Sequence, residues 1–334
     1  MDDIMDYRFE SPEIIRSFLM YHENIKGHSQ KTVDEYFLDL RLFFRYMKIS
    51  KRIVPADTPL ESISIMDIDI DFVKSIALTD VYDFLAYLSR GRVRNQNSRS
   101  VDYGLNASSR ARKVATIRSY FKFLTVKAKL LTENPVADLD SPKTLKSLPR
   151  YLSADESVTL LGSIDGVNAD RDYCMITLFL NCGLRISELI GLNIPDIRAD
   201  SIRVLGKGNK ERIVFLNDAS ADAINNYLAI RKDIAAVDKN ALFLSNRRTR
   251  ISKSNVHDLV KKHILVAGLD SSKYSAHKLR HTAATLMLRS GVDVRTLQEI
   301  LGHEHLNTTQ IYTHVENDSL RDAAHRTPLS SIKK

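Results

Sequence analysis

Two stretches in the first third of the chain constrain its folding more than any other feature. "LRLFFRYMK", Leu40 to Lys48, aligns without a gap to "IRSYFKFLT", Ile117 to Thr125. In each, apolar residues recur at helical spacing. Val114, Ile117, Tyr120, Phe121 and Leu124 form one stripe, while Arg112, Lys113, Arg118 and Lys122 fall largely off it. The pattern predicts two similar amphipathic helices, opened by "HSQKT" and "NASS", whose polar residues can cap them. Taken alone, these are equally two ordinary bundle helices with solvated outer faces.

Charge sharpens the reading. The 334 residues carry 49 Lys or Arg against 41 Asp or Glu, a net charge of +8, which mildly favours a polyanionic partner. The segment "SSRARKVATIRSYFKFLTVKAK" has seven basic residues and no acidic one, a footprint suited to phosphates. No apolar run reaches the ~20 residues of a membrane span. The acidic opening "MDDIMDYRFESPE" lacks the apolar core of a secretory signal. Cys174 and Cys182 are expected as a buried, reduced pair in a cytoplasmic protein.

Between the twin helices, "IDIDF" alternates like a strand or extended segment. "LTDVYDFLAYLSR" reads as a helix, and "GRVRNQNSRSVDYG" as a polar, basic loop. "ENPVADLDSPKTLKSLPRYLSADE", with three prolines and no periodicity, reads as a linker. It ends at a helix start capped by Ser153, with Glu156 at the third helical position. The expected organisation is residues 1–135 as a helical domain, 136–152 as linker, 153–317 as a second domain and 318–334 as a tail.

The second domain opens with the apolar helical run "RDYCMITLFLNCGLRISELIGL", broken at Gly183. "SIRVLGKGNKERIVFL" then alternates as two strands around a Gly-Lys-Gly-Asn-Lys turn. Helices are expected from Ala219 to Lys232 and from Ser254 to Ala267. A further helix runs from a cap at Ser275 to Gly291, and another stops at Gly302. Asn307 and Gln310 open a last one. This is a mainly α chain with one small antiparallel sheet.

Tyr312 lies in "HLNTTQIYTHV". A phenol with a pKa near 10 is a poor nucleophile unless its surroundings activate it. Attack on a phosphodiester needs the developing charge neutralised, the leaving oxygen protonated and the nucleophile deprotonated. Arginine suits the first task because its planar fork binds two phosphate oxygens. Arg185 follows the glycine break in "NCGLRISEL". Arg280 lies three residues after His277 in "HKLRH", on the same helical face. Singly, Arg185 is also readable as a surface arginine paired with Glu188, and Arg280 as an exposed helix charge. The pairs His277/His281 and His303/His305 lack the HExxH pattern or cysteines of a zinc site. "GKGNK" lacks the GxxxxGK[ST] pattern of a nucleotide phosphate loop, so no cofactor is expected.

The ordered set "GLRISEL", "VLGKGNKER", "HKLRH", "LGH" and "TTQIYTH" resembles the tyrosine recombinases, or phage integrases. The likeness is above all to the Xer-type chromosomal recombinases of bacteria, and it covers essentially the whole chain. It implies a small SAM-like helical core-binding domain followed by a catalytic domain of the DNA breaking–rejoining enzyme fold, closing as a clamp around duplex DNA. It further implies that Arg185 and Arg280 clamp the scissile phosphate and Lys207 protonates the leaving 5′-oxygen. His277 would assist proton transfer, and His303 would donate a hydrogen bond to a non-bridging oxygen. Tyr312 would be the nucleophile, with Glu188 orienting the basic groups. Phosphate contacts would come from Arg110, Arg112, Lys113, Arg118 and Lys122. The segment from about Ile53 to Asn106 is expanded relative to shorter members. The tail would dock on a neighbouring subunit in a tetramer on two duplexes. A second Xer-type recombinase and a septal DNA translocase are implied partners. Mobile-element integration or inversion, type IB topoisomerase-like relaxation and a non-catalytic DNA-binding regulator are the other readings.

Overall fold

The computed structural model describes residues 6–91, 93–95, 102–143, 150–206 and 210–302. The chain divides into two compact units, residues 1–146 and 147–334. Among the described residues it is mostly helical, and no helix is long and apolar enough to cross a membrane.

The first unit runs α1 (Tyr7–Glu10), α2 (Glu13–Met20), α3 (Gln30–Ser50), α4 (Ile70–Lys74), α5 (Leu78–Ala86), β1 (Val93–Asn95), β2 (Asp102–Tyr103) and α6 (Ala107–Lys122). The twin segments fall on α3 and α6, the second running on past Lys122 in a wider helical turn. The same four positions are buried in both: Leu40, Phe43, Phe44 and Met47 match Ile117, Tyr120, Phe121 and Leu124. The two helices pack on each other, with the Phe44 and Tyr120 rings edge to face at 5.7 Å. Burying such side chains stabilises by about 1.5–3 kcal/mol each, so repeating the stripe builds one shared core.

Asn106 caps α6 by accepting from the Ser109 amide at 2.8 Å, as its sequence predicts. Ser29 takes the cap position of α3, but its hydroxyl pairs with Thr32 at 3.0 Å instead of a backbone amide.

Two expectations for this unit are corrected. "IDIDF" is not extended: its last residues begin α4, because the Asp69 carboxylate accepts from the Phe72 amide at 2.8 Å and starts a helix. The basic segment before α6 is not simply loop, since β1 and β2 pair antiparallel within it. Val136 and Leu139, inside the expected linker, are buried in the first unit's core.

The second unit comprises α7 (Ala154–Gly162), α8 (Ala169–Cys182), α9 (Ile186–Gly191), β3 (Ser201–Leu205), β4 (Glu211–Phe215), α10 (Asp218–Arg231), α11 (Lys253–Val266), α12 (Ala276–Arg289) and α13 (Val294–Leu301). Ser153 and Glu156 form the expected reciprocal cap of α7, at 3.0 and 2.7 Å. Leu152 is buried in this unit's core, and its amide donates to Thr282 at 2.9 Å.

Helix α8 is central, packed by α10 and α12. Its run from Cys174 to Leu180 is buried without interruption, the signature of a helix enclosed on every side. Cys174 and Cys182 are free, buried thiols. Burial pushes both up, Cys182 to about 11 although Ser220 and Arg212 pull it back.

Strands β3 and β4 pair antiparallel from Ser201↔Phe215 to Leu205↔Glu211, the hairpin read from the sequence. Ser275 precedes α12, but its hydroxyl makes no capping bond. Asn307, Gln310 and the tail 318–334 lie outside the described residues.

Candidate active site around Glu188

Gly183 ends α8 with φ +58°, a left-handed conformation that glycine adopts without strain. A Cβ there would meet Leu301 Cδ2 at 2.7 Å, so the missing side chain lets the end of α13 press against the turn. The turn delivers Arg185 to the position preceding α9, and Glu188 one turn into that helix. The Glu188 carboxylate bonds back to the Arg185 amide at 2.8 Å.

Glu188 is only 3 % exposed and stands among three guanidinium groups. Arg212 Nη1 and Nη2 grip its two oxygens at 2.8 and 2.9 Å. Arg185 Nη1 donates to Oε1 at 2.7 Å, and Arg280 Nη1 lies 3.7 Å from Oε2. Burial pushes this carboxyl up, but the Arg212 fork, the Arg185 amide and the neighbouring positive charge outweigh it and hold it below the usual carboxylate range. Three cations against one anion leave the cluster net positive, the electrostatic requirement for receiving a phosphate.

The same three arginines collect the last carbonyls of α13. Ile300 accepts from Arg212 Nε at 3.1 Å. Leu301 accepts from Arg280 Nη2 at 2.7 Å and from Arg185 Nη1 at 3.3 Å, and Gly302 accepts from Arg185 Nη2 at 2.9 Å. A helix C-terminus presents unpaired carbonyls and a partial negative charge, so cations are the natural partners there. Gly302 takes φ +62°, and a Cβ on it would lie 3.2 Å from the Arg212 guanidinium. That glycine both ends the helix and admits the arginine.

The two phosphate-clamp arginines named from the sequence are thus brought together. Arg280 is buried at 3 % exposure, not an exposed helix charge, and its Nη1 also donates to the Gly183 carbonyl at 2.5 Å. Arg185 does pair with Glu188, yet this uses only part of its fork. Glu188 and Leu301 take Nη1 and Gly302 takes Nη2, and the side chain stays about one-third exposed, so the guanidinium is tied on one side and open to solvent on another. A guanidinium with N–H groups left toward solvent can still receive a phosphate oxygen.

His277 lies one turn before Arg280 on α12. Its Nε2 is 3.0 Å from Nε2 of His281, with the rings edge to face, so one of the two nitrogens supplies the hydrogen between them. Burial lowers the His277 pKa, and the charges of Arg280, Lys278 and Arg185 lower it further. The ring is kept neutral, the form that can accept a proton. No group of three or more metal-ligating side chains occurs among the described residues.

Lys207, His303 and Tyr312 lie outside the described residues. Gly206, the neighbour of Lys207, donates to the Lys210 carbonyl at 2.8 Å at the base of the hairpin turn. A Cβ on Gly206 would sit 3.8 Å from Glu188 Oε1, so the turn starts beside the arginine cluster. His303 follows Gly302 directly in sequence.

In the first unit, the basic helix does not offer all its charges to solvent. Asp39 of α3 is 1 % exposed and accepts from Lys113 at 2.5 Å, from Arg112 at 2.7 and 2.9 Å, and from Thr116 at 2.9 Å. Lys113 is itself buried, whereas Arg112, Arg118 and Lys122 are exposed and Arg110 half-buried. Sequence reasoning missed both Asp39 and Arg212. Arg212 had a signal: it falls on the buried face of the hairpin with Ile202, Val204 and Val214, where an apolar residue is expected.

Residues 150–318 match the model of the phage integrase family. The chain is 49% identical over 320 residues to a tyrosine recombinase XerC of Caldanaerobacter subterraneus subsp. tengcongensis, covering 96% of this chain and 88% of the relative. It is 34% identical over 311 residues to a XerC of Thermodesulfovibrio yellowstonii, covering 90% and 91%. A solved structure of XerH site-specific recombinase, bound to palindromic difH substrate as a post-cleavage complex, matches at TM-score 0.65 and 24% identity, covering 93% of this chain and 84% of that one. The Tn1549 transposon integrase, in complex with circular intermediate DNA, matches at TM-score 0.65 and 19% identity, covering 95% and 100%. These two likenesses show the fold. With the arginine cluster in place and relatives this similar along nearly their whole length, the chain belongs to the phage integrase family, among its tyrosine recombinases of Xer type.

Proposed function

We propose that this site-specific recombinase cuts and rejoins DNA strands with Tyr312 as nucleophile. The phenol oxygen forms a bond to the scissile phosphorus as the bond from phosphorus to the 5′-oxygen breaks. His277 accepts the phenol proton, and Lys207 gives a proton to the departing 5′-oxygen. Arg185 and Arg280 balance the charge on the phosphate, with His303 donating to a non-bridging oxygen and Glu188 holding the guanidinium groups. The product is a 3′-phosphotyrosine, and rejoining to another strand reverses each transfer. One phosphodiester replaces another of similar energy, so the exchange needs no nucleotide hydrolysis. The observation that carries this reading is the net-positive arginine cluster on Glu188, with Arg185 partly exposed at its edge.

The first unit is proposed to grip DNA through Arg110, Arg118 and Lys122, with the exposed part of Arg112. Lys113 is assigned instead to holding α6 against α3. The Xer-type relatives favour resolution of chromosome dimers in the cytoplasm, on the nucleoid. DNA and other recombinase subunits are the partners, with a second Xer-type recombinase and a septal DNA translocase as the finer proposal. The tail 318–334 is proposed to join subunits.

A nicked duplex that traps cleavage tests the chemistry. Incubation should attach DNA covalently to the protein, and Tyr312→Phe should abolish the adduct. Wild-type protein that forms no adduct with any trapped genomic sequence would remove the enzymatic reading. The genomic sequences recovered in the adduct separate the roles: one chromosomal site supports dimer resolution, and element ends support integration.

A further inference from the structure

We infer that Arg212, outside the set of residues assigned to the phosphate and its proton transfers, is a positioning residue for the phosphate clamp. The inference rests on the recombinase reading and concerns how its arginines are held. Arg212 differs from Arg185 and Arg280 in what it can offer a substrate. Its end-on fork is occupied by both oxygens of Glu188 at 2.8 and 2.9 Å, and its Nε by the Ile300 carbonyl at 3.1 Å. Those bonds engage both edges of the guanidinium, so it is built into the protein rather than turned toward a ligand.

What it touches gives the role. The three bonds join β4, α9 and the end of α13 through one rigid plane. Glu188 in turn orients Arg185 at 2.7 Å and faces Arg280 at 3.7 Å. The carbonyls that receive Arg185 and Arg280 follow Ile300 directly. Two attachment points of the clamp, carboxylate and helix end, are therefore fixed by Arg212, beside the Gly183 carbonyl that also receives Arg280. Gly302 leaves room for it, since a Cβ there would lie 3.2 Å from Arg212 Cδ, Nε and Nη1. Without Arg212 the carboxylate loses its bidentate partner and is held only by the Arg185 amide and Nη1, with Arg280 3.7 Å away. A lysine keeps the charge but cannot span two oxygens and a carbonyl in one plane.

The test separates positioning from simple bracing. Wild type, Arg212→Lys and Arg212→Met are compared on the nicked duplex trapped by wild-type protein, with either a normal scissile phosphate or a methylphosphonate there. The methyl group removes the negative charge that the clamp neutralises, so a protein with a disordered clamp is handicapped less on that substrate. Both variants should slow adduct formation on the phosphate by about 10²-fold, the scale of a misplacement near 1 Å. Most of that deficit, relative to wild type, should vanish on the methylphosphonate. An equal deficit on the two substrates, no deficit on either, or loss of cooperative melting in both variants overturns the inference and leaves Arg212 a structural brace or a bystander. Failure of wild type to form any adduct is a different result, because it removes the recombinase reading itself.

Discussion

Arg280 and Leu301 are joined by a 2.7 Å hydrogen bond from a buried guanidinium to a helix-end carbonyl. Arg280 thus links the site to the structural support of α13. Arg280→Met should both abolish DNA cleavage and lower unfolding free energy by about 3–5 kcal/mol, the usual effect of breaking a buried charged network. Adduct assays and urea titration measure the two effects separately.

Gly183 carries a steric argument that predicts a sharper outcome. Gly183→Ala must strain a left-handed φ and push Leu301 Cδ2 away from 2.7 Å. A stability loss of about 1–3 kcal/mol is expected from the backbone strain alone. Movement of α13 should reduce cleavage beyond what the unfolded fraction explains, which single-turnover assays well below the melting temperature will detect.

Asp39 divides the basic helix into structural and exposed charges. Arg118→Ala and Lys122→Ala should each reduce the slope of log affinity against log salt by about 0.9. Lys113→Met should leave that slope unchanged while lowering stability. Asp39→Asn, which removes the buried carboxylate that Lys113 and Arg112 share, should cost about 3–5 kcal/mol. Filter binding across a salt series, beside denaturant unfolding, reads both quantities.

The depressed pKa of His277 sets the acid side of the rate profile. Its neutral form is needed to take the phenol proton, so cleavage should fall as pH drops through a value below the ordinary histidine 6.5. The sign for stability agrees. The unfolded chain binds this proton more readily, so His277 destabilises the fold as pH falls from 6.5 toward the lowered value, and not above it. Single-turnover cleavage between pH 4.5 and 8 (an ordinary working range), with His277→Gln as the control, checks the assignment.

Much of the architecture could be read from periodicity. The twin stripes of α3 and α6, the Ser153 cap and the β3–β4 hairpin each follow from local pattern and turn chemistry. Arg185, His277 and Arg280 were legible as types suited to phosphate chemistry at suggestive spacings. The shared anchoring of Arg185, Arg212 and Arg280 on the end of α13 was not, because it depends on carbonyls of Ile300, Leu301 and Gly302, and a backbone oxygen leaves no mark in a sequence. Lys113 misled for the opposite reason. A lysine off the apolar stripe reads as solvated unless the distant Asp39 is known to lie opposite. "IDIDF" misled because two-residue alternation and a short capped helix are indistinguishable over five residues.

The enclosed thiols of α8 give the second unit a built-in gauge of its own opening. Cys174 and Cys182 can meet an alkylating reagent only when the helices around them part, and at neutral pH neither is a thiolate while packed. The rate of thiol labelling in the intact chain therefore reports how often this interior is exposed to water. Damage to the arginine cluster can be sorted by that one measurement into changes that loosen the interior and changes that leave it shut.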